Sequence, residues 1–270
     1  MESGYAGCAS QTDRGHRLMR LLALLLIGGS AALGLAGTQV SERAALGYVV
    51  GLCQANATVT DSPMPCLSVD RRMQRQDGYA VVREPIHKKR TVLTSLAAIP
   101  GIEDPMLLDA RAPNFFADAW NERARFLGGS RSGEPAGFVL AINPQYARSQ
   151  DRFHIHLACL EPRSLQRLAD DLPRISSERF TAMGQTMQGR RLWAMRVDGT
   201  DLAVKNPLQL LAEHMPGARE SMGRHLLMVI PEAWPDGRRG FVLLTNQPND
   251  GSPILSVEPF LDKSCLAHAA

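Results

Sequence analysis

The chain has 270 residues, a length that fits one large domain or two small ones. Hydrophobic residues make up 44% of the chain and charged residues 21%, which is ordinary for a folded globular protein and excludes disorder along the whole chain. The formal net charge of +3 is too small to indicate a nucleic-acid-binding protein, so we expect no nucleic-acid partner.

An apolar segment near the amino terminus is the first element that the sequence predicts. Arg14, Arg17 and Arg20 precede the run Leu21–Gly37, which contains no charged residue. As a helix, this run would span about 25 Å, which is short for a membrane span and long for the apolar part of a signal peptide. Basic residues before the run predict that the amino terminus stays in the cytoplasm and that the rest of the chain is exported.

These features predict a bacterial inner-membrane protein with a single pass. We expect a short cytoplasmic amino terminus at residues 1–20, a transmembrane signal-anchor at residues 21–39 and an extracytoplasmic domain at residues 40–270 that faces the periplasm. The small residues around Gly34-Leu35-Ala36 also allow cleavage as a signal peptide, so the sequence leaves the fate of the anchor open.

The cysteines fit an exported domain. Cys8 precedes the apolar run, and the other four are Cys53, Cys66, Cys159 and Cys265, an even number that predicts two disulfides in an oxidising compartment. Three pairings are possible. Cys53 and Cys66 bracket a short proline-containing loop that a local disulfide would suit, which would leave Cys159 with Cys265. A zinc site is the alternative, but the sequence contains no CxxC pair.

Hydrophobic periodicity, capping residues and turn residues predict a mixture of helices and strands. The predicted helices cover residues 40–52, 113–128, 164–172 and 206–220, and the last has Asn206 as its cap and Pro207 at its first position. The predicted strands cover residues 78–83, 91–96, 138–143, 153–160, 226–230 and 240–245. A short polar connection joins strands 138–143 and 153–160, which predicts a hairpin. The mixture indicates an α+β fold, an antiparallel sheet with flanking helices.

Two histidines on the strand 153–160 are the strongest chemical signal in the sequence. His154 and His156 alternate with Ile155 and Leu157, so both imidazoles project from one face of the sheet while the apolar side chains face the core. Such a pair suits metal ligation or nucleophilic and acid–base work at phosphorus. The alternative without a function is coincidence on a strand edge.

The neighbouring residues favour phosphorus chemistry over a metal site. A metal site needs a third ligand, and strand alternation points Asp151 away from the histidines, while His87, His214 and His225 have no motif that supports them. Arg152 shares the histidine face by the two-residue count, and a cation there suits a diphosphate. We therefore expect no metal and no cofactor.

With these residues in view, the segment Arg152-Phe153-His154-Ile155-His156-Leu157 resembles the histidine-triad hydrolase signature of three alternating histidines. The chain resembles most the CDP-diacylglycerol pyrophosphatase family within that group, from about Gly47 to Cys265. The apolar amino-terminal segment and the positions of the four cysteines also resemble that family. Further stretches that carry the resemblance are residues 78–82, 113–120, 140–143, 149–150, 175–177, 211–213, 218–220, 222–223 and 241–244.

The resemblance implies a role for each candidate residue. His154 matches the middle histidine and would be the nucleophile that forms a nucleotidyl-histidine, and His156 matches the third and would bind phosphate oxygens. Asn143 would lie near the nucleotide, and Ser149 and Gln150 would face the phosphates. Arg152 replaces the first histidine of the triad. Arginine can bind phosphate but cannot act as a base near neutral pH.

The resemblance implies hydrolysis of the pyrophosphate bond of CDP-diacylglycerol to CMP and phosphatidate, by a catalytic domain at residues 40–270. The substrate would lie in the bilayer, and the anchor would raise the local concentration of enzyme beside it. Two alternatives stay open. One is a nucleotide hydrolase or nucleotidyl transferase that acts on a soluble substrate, and the other is a catalytically silent module that binds a nucleotide or lipid. The sequence leaves the oligomeric state open.

Overall fold

The computed structural model describes residues 42–71, 78–83, 91–126, 137–234, 236–248 and 255–262. The chain divides into two compact units, Met1–Ser41 and Glu42–Ala270, and all the described ranges belong to the second. The predicted cytoplasmic segment and membrane anchor lie outside the described residues. Within those ranges, no helix is both long enough and apolar enough to cross a membrane.

The described ranges contain four α-helices, each followed by two or three strands. The α-helices are α1 (Ala45–Val59), α2 (Phe115–Phe126), α3 (Pro162–Asp171) and α4 (Pro207–His214). The strands are β1 (Ser68–Asp70), β2 (Tyr79–Arg83), β3 (Thr91–Ser95), β4 (Phe138–Ile142), β5 (His154–Leu160), β6 (Thr181–Ala182), β7 (Trp193–Asp198), β8 (Leu227–Ala233), β9 (Arg239–Thr245) and β10 (Leu261–Asp262). Short 3-10 turns include Glu42–Ala44, Gln145–Ala147 and Met222–Arg224.

The strands form one antiparallel sheet in the order β1-β2-β3-β5-β4-β8-β9-β7-β6, and β10 pairs with the far end of β5. This architecture confirms the predicted α+β fold with an antiparallel sheet. The predicted hairpin is also confirmed, because β4 pairs with β5 in a register that sets Ala141 opposite His156. On its other edge, β5 pairs with β3, where Thr94 lies opposite His154.

One face of the sheet is covered by the larger hydrophobic core. Ile155, Leu157 and Cys159 of β5 point into this core, together with Phe115 of α2 and Leu211 of α4. Helices α2 and α4 lie on this face because each presents apolar side chains at helical spacing to the sheet. The core therefore fixes which side of β5 is internal.

The opposite face of the sheet carries two separate, smaller hydrophobic clusters. One gathers around Val139 of β4 and Leu168 of α3. The other forms where Cys53 of α1 contacts Ala80 of β2. Strand β5 runs between these clusters, since β3 and β2 lie on one side of it and β4 on the other. The even-numbered side chains of β5 therefore lie on the face of the sheet that α1 and α3 partly cover, in the space between these two helices.

Two helices differ most from their predicted bounds. Helix α1 begins at Ala45 and continues to Val59, beyond the predicted end at residue 52. Helix α4 starts as predicted, with the Asn206 side chain accepting a hydrogen bond from Leu208 N, but it ends at His214 rather than at residue 220. The residue before a proline avoids helical backbone. Met215 precedes Pro216 and is extended, so α4 ends at His214.

Four strands were not predicted from the sequence: β1, β6, β7 and β10. Three of them have only two or three residues, too few for a pattern to register. Strand β7 is longer, but its sequence WAMRVD does not alternate strictly, and its burial follows from pairing with β9 over six residue pairs. Tertiary pairing makes this strand.

The local disulfide that the cysteine spacing suggested is present. The sulfur atoms of Cys53 and Cys66 are 2.01 Å apart, and the bond ties α1 to the loop before β1. Cys159 is also disulfide-bonded. Cys265 lies outside the described residues, so its pairing with Cys159 stays a prediction.

Candidate active site

The histidine pair lies on β5 because the neighbouring residues are committed to the core. Ile155 is fully buried and Leu157 is 1% exposed, which turns His154 and His156 to the opposite face. The two imidazole rings are 4.9 Å apart between centroids and nearly perpendicular, at 72°. The predicted arrangement of two imidazoles on one face is confirmed. His154 is buried, whereas His156 is partly exposed.

The protonation of His154 is set by its own backbone. Its Nδ1 lies 2.7 Å from the carbonyl oxygen of Arg152. A carbonyl can only accept, so Nδ1 carries the hydrogen and Nε2 keeps its lone pair. Burial lowers the pKa of His154, the hydrogen bond to Arg152 raises it, and the charge of Arg148 lowers it again. The net lowering keeps His154 neutral at pH 7, which a nucleophile requires.

His156 is oriented by an amide that the carboxyl-terminal segment holds in place. The Oδ1 of Asn143 accepts hydrogen bonds from Val257 N at 2.8 Å and from the hydroxyl of Ser256 at 3.0 Å. These donors fix the amide so that Nδ2 faces His156 Nε2, at the long distance of 3.5 Å. Asn143 follows β4 directly and is 5% exposed. Sequence analysis identified Asn143 but missed Ser256, since no local pattern joins residues this far apart.

Arg148 is a buried cation whose charge acts on His154, and it was not among the candidate site residues of the sequence analysis. Its Nη1 lies 2.7 Å from Glu103 Oε2, and its Nε lies 3.3 Å from Asp151 Oδ1. A Cβ atom at Gly101 would collide with Arg148 Nη1 and lie 2.6 Å from Glu103 Oε2, so a larger residue there would displace this ion pair. The guanidinium is thus held rigidly, and its charge acts on the pKa of His154.

The guanidinium of Arg152 is directed to backbone rather than along the histidine face. It donates to the carbonyl of Ser95 from Nε at 3.1 Å and from Nη2 at 2.9 Å. Nη2 also donates to the carbonyl of Leu96 at 2.8 Å. Arg152 therefore joins the end of β3 to the start of β5, and its backbone carbonyl orients His154.

The two other predicted substrate-binding residues lie in the loop before β5. Gln150 Oε1 accepts from Leu46 N at 2.9 Å, and Gln150 Nε2 donates to the carbonyl of Glu42 at 2.7 Å. The amide of Gln150 thus satisfies backbone groups at the start of α1. Ser149 is exposed in the same loop. Substrate contacts of Gln150, Ser149 and Arg152 stay predictions.

The other two histidines of the described ranges form hydrogen bonds to residues outside the pair. His225 is fully buried, with Nδ1 3.1 Å from the hydroxyl of Thr245. Nδ1 of His214 lies 2.9 Å from the carbonyl of Glu178. His87 lies outside the described residues. Across the ranges that the structure describes, no group of three or more His, Cys, Asp or Glu residues could hold a metal ion.

Comparison with known proteins agrees with this geometry. The family model for CDP-diacylglycerol pyrophosphatase matches residues 41–269. The chain is also similar to the CDP-diacylglycerol pyrophosphatase of Yersinia pestis, with 38% identity over 202 residues that cover 72% of this chain and 72% of the relative. The matched region contains the histidine pair and every residue that orients it. The chain therefore belongs to the CDP-diacylglycerol pyrophosphatase family.

Proposed function

We propose that the protein hydrolyses the pyrophosphate bond of CDP-diacylglycerol to CMP and phosphatidate, with His154 as the nucleophile. The observation that carries the proposal is the hydrogen bond from His154 Nδ1 to the Arg152 carbonyl, 2.7 Å long, which leaves Nε2 with a lone pair. Burial keeps the imidazole neutral by lowering its pKa. The Yersinia pestis relative bears the name of this activity.

The reaction has two displacements at one phosphorus atom. Nε2 of His154 attacks the phosphorus next to the cytidine, the bond from that phosphorus to the bridging oxygen breaks, and phosphatidate leaves with the bridging oxygen. The imidazole of the adduct is cationic, and its Nδ1–H keeps its bond to the Arg152 carbonyl, which stabilises that charge. Water then attacks the same phosphorus, loses a proton to solvent, and releases CMP and free His154.

In this proposal His156 supplies a hydrogen-bond donor to the phosphoryl group, and Asn143 and Arg148 support the histidine pair. The rings of His154 and His156 are 4.9 Å apart between centroids, so a phosphoryl group on one reaches hydrogen-bond donors on the other. Asn143 holds His156 in register with the attacked phosphorus. The buried guanidinium of Arg148 is paired with Glu103 and Asp151, so its part in this proposal is to help lower the pKa of His154.

The membrane location and the histidine-triad-like relationship belong to this proposal as well. Disulfides at Cys53–Cys66 and at Cys159 favour an oxidising compartment, and the periplasmic side of a bacterial inner membrane is one. The uncharged run Leu21–Gly37 would hold the chain in the bilayer that contains the lipid substrate. The order Arg152, His154, His156 along the chain resembles the histidine-triad pattern with its first member replaced.

Trapping the covalent intermediate tests the mechanism. We expect rapid quenching at neutral or alkaline pH, followed by mass spectrometry, to find a cytidylyl group on His154. The variant His154→Ala should lose more than about a thousandfold in kcat, because it lacks the nucleophile. A thousandfold corresponds to about 4 kcal/mol in the activation barrier. The variant His156→Ala should lose about 10²–10³-fold, as loss of one oxyanion donor does elsewhere.

The matched control is His214→Ala. His214 lies outside the pair and, like His154, has Nδ1 beside a backbone carbonyl, so this variant should leave kcat unchanged. An adduct on another residue, or full activity in His154→Ala, would overturn the mechanism. Turnover of CDP-choline but not of CDP-diacylglycerol would favour the soluble-substrate alternative. Nucleotide binding without turnover of either compound would favour a catalytically silent module.

A further inference from the structure

Helix α1 carries apolar side chains on the face that no other described part of the chain covers. Its inner face buries Val50, Cys53 and Ala57. On its outer face, Tyr48 is 57% exposed, Leu52 62% and Val59 83%. These three residues are four and seven positions apart, which puts them in one stripe along the helix. We name these three residues, with the exposed Ala55 between them, the outer stripe of α1.

The composition of α1 is unusual for a helix at a protein surface. The fifteen residues from Ala45 to Val59 include no Asp, Glu, Lys or Arg. A helix that is apolar on all sides is normally buried, either within a protein or in a lipid phase. Of the six large apolar side chains that lie exposed in the described ranges, three belong to the outer stripe, and Met64 lies in the loop that follows α1. Exposed apolar residues are therefore concentrated here.

The outer stripe also has a place in the chain that connects it to a bilayer. The uncharged run Leu21–Gly37 ends seven residues before α1 begins. Seven residues span less than about 30 Å even when extended, so a run embedded in lipid would keep α1 close to the membrane surface. Tyr48 is an aromatic residue of the kind that lies at the boundary between lipid and water.

The start of α1 is fastened to the loop that leads into the histidine strand. Arg43 donates two hydrogen bonds of 2.6 Å to the carboxylate of Asp151. The Gln150 amide bridges Glu42 and Leu46 on the same turn. Three residues after Asp151, β5 begins with His154. A surface that holds α1 therefore also fixes the position of the histidine pair relative to itself.

We propose that the outer stripe of α1 lies on the surface of the lipid bilayer that contains the substrate and orients the histidine pair toward lipid headgroups. This inference rests on the proposed function, because a diacylglycerol-bearing substrate keeps its diphosphate at headgroup level. The helix is an in-plane contact, in addition to any membrane span. The outer stripe enters the boundary between lipid headgroups and acyl chains, and the opposite face of α1 stays packed on β2 and β3.

Depth-dependent quenching in vesicles tests the contact directly. The full chain is reconstituted into vesicles of phosphatidylethanolamine and phosphatidylglycerol whose acyl chains carry bromine at a shallow or a deep position. The variant Leu52→Trp should be quenched more by shallow than by deep bromine. The control Val204→Trp, at a site 89% exposed in a distant turn, should not be quenched above the wild-type background. No quenching at position 52, or stronger quenching by deep bromine, would overturn the proposal.

Kinetics separate this proposal from the proposed function. In Leu52→Glu, the apparent KM for CDP-diacylglycerol in vesicles should rise roughly tenfold, while hydrolysis of a water-soluble short-chain analogue stays unchanged. Val204→Glu should change neither. If the wild-type protein hydrolyses neither substrate, the proposed function is wrong. The quenching at position 52 would still decide whether the outer stripe contacts the bilayer. A change in molar mass in detergent on Leu52→Glu would assign the stripe to a second copy of the chain instead.

Discussion

The backbone carbonyl of Arg152 determines which nitrogen of His154 can react. Because that carbonyl accepts from Nδ1, the lone pair on Nε2 is the only one available to attack phosphorus. Burial and the charge of Arg148 both lower the pKa of His154, so no separate base is needed to keep the ring neutral. The tautomer and the lowered pKa of His154 are therefore set by its immediate surroundings rather than by a third histidine.

The side chain of Arg152 has a structural role that can be measured. Arg152→Ala removes three hydrogen bonds to the carbonyls of Ser95 and Leu96, and we expect unfolding free energy to fall by about 1–3 kcal/mol in urea titrations. Because the Arg152 carbonyl remains, kcat should change little. The exposed control Arg191→Ala should leave stability within about 0.5 kcal/mol. A large loss in kcat or KM at unchanged stability would instead favour the predicted phosphate contact of Arg152.

At the scale of elements, β5 carries the histidine pair, and two other segments support it. The loop before β5 brings Arg148, which Glu103 holds. The segment after residue 254 brings Ser256 and Val257 to the amide of Asn143. The carboxyl-terminal segment is thus part of the site although it lies 113 residues from Asn143 along the chain. Asn143 is a positioning residue in this arrangement.

Replacing Asn143 tests that positioning role. Asn143→Asp keeps the oxygen that accepts from Ser256 and Val257 but loses the donor that faces His156. We expect a folded protein whose kcat falls by about 10–10²-fold. The added carboxylate should also move the titration of the His156 ring to higher pH, as measured by NMR of the imidazole carbons.

The partner variant for this test is Ser256→Ala. It leaves the hydrogen bond from Val257 N, so we expect a smaller loss of kcat than in Asn143→Asp and no change in the His156 titration. Rescue by Ser256→Thr, which retains the hydroxyl, should restore the wild-type rate. Equal losses in all three variants, with no shift of the titration, would contradict positioning through Asn143.

At the scale of the whole molecule, acid should destabilise the fold through His225. Thr245 donates its hydroxyl hydrogen to the carbonyl of Leu226, so His225 Nδ1 must be the donor to Thr245. Burial is the main cause that lowers the pKa of His225 to about 4. The unfolded state binds a proton below about pH 6.5 and the folded state only near pH 4, so stability is lost as pH falls through that window.

The measurement is urea unfolding of the wild type and of His225→Gln, whose side chain does not titrate. Between pH 7 and pH 5, we expect the wild type to lose about 2 kcal/mol relative to the variant. Burial raises the pKa of Glu232 to about 7, which has the opposite effect on stability over this range. Both proteins contain Glu232, so the comparison removes its contribution. Parallel pH profiles would show that His225 does not carry the acid sensitivity.

The sequence by itself determined the features that depend on local pattern. Alternation placed His154 and His156 on one face because Ile155 and Leu157 require the core. Capping residues fixed the start of α4 at Asn206-Pro207. The ordered set of motifs along the chain identified the CDP-diacylglycerol pyrophosphatase family correctly. Each of these inferences uses residues that are neighbours in the chain, where geometry follows directly from spacing.

Only the tertiary structure decided where the long side chains end and which of them serve the site. Arg152 reaches a carbonyl 57 residues away, Gln150 reaches the start of α1, and Ser256 reaches Asn143, whereas Arg148 forms a buried ion pair with Glu103. Strand β7 likewise exists through its pairing with β9. Flexible polar side chains have many rotamers of similar energy, so the partners that select one conformation come from distant segments that only folding brings together.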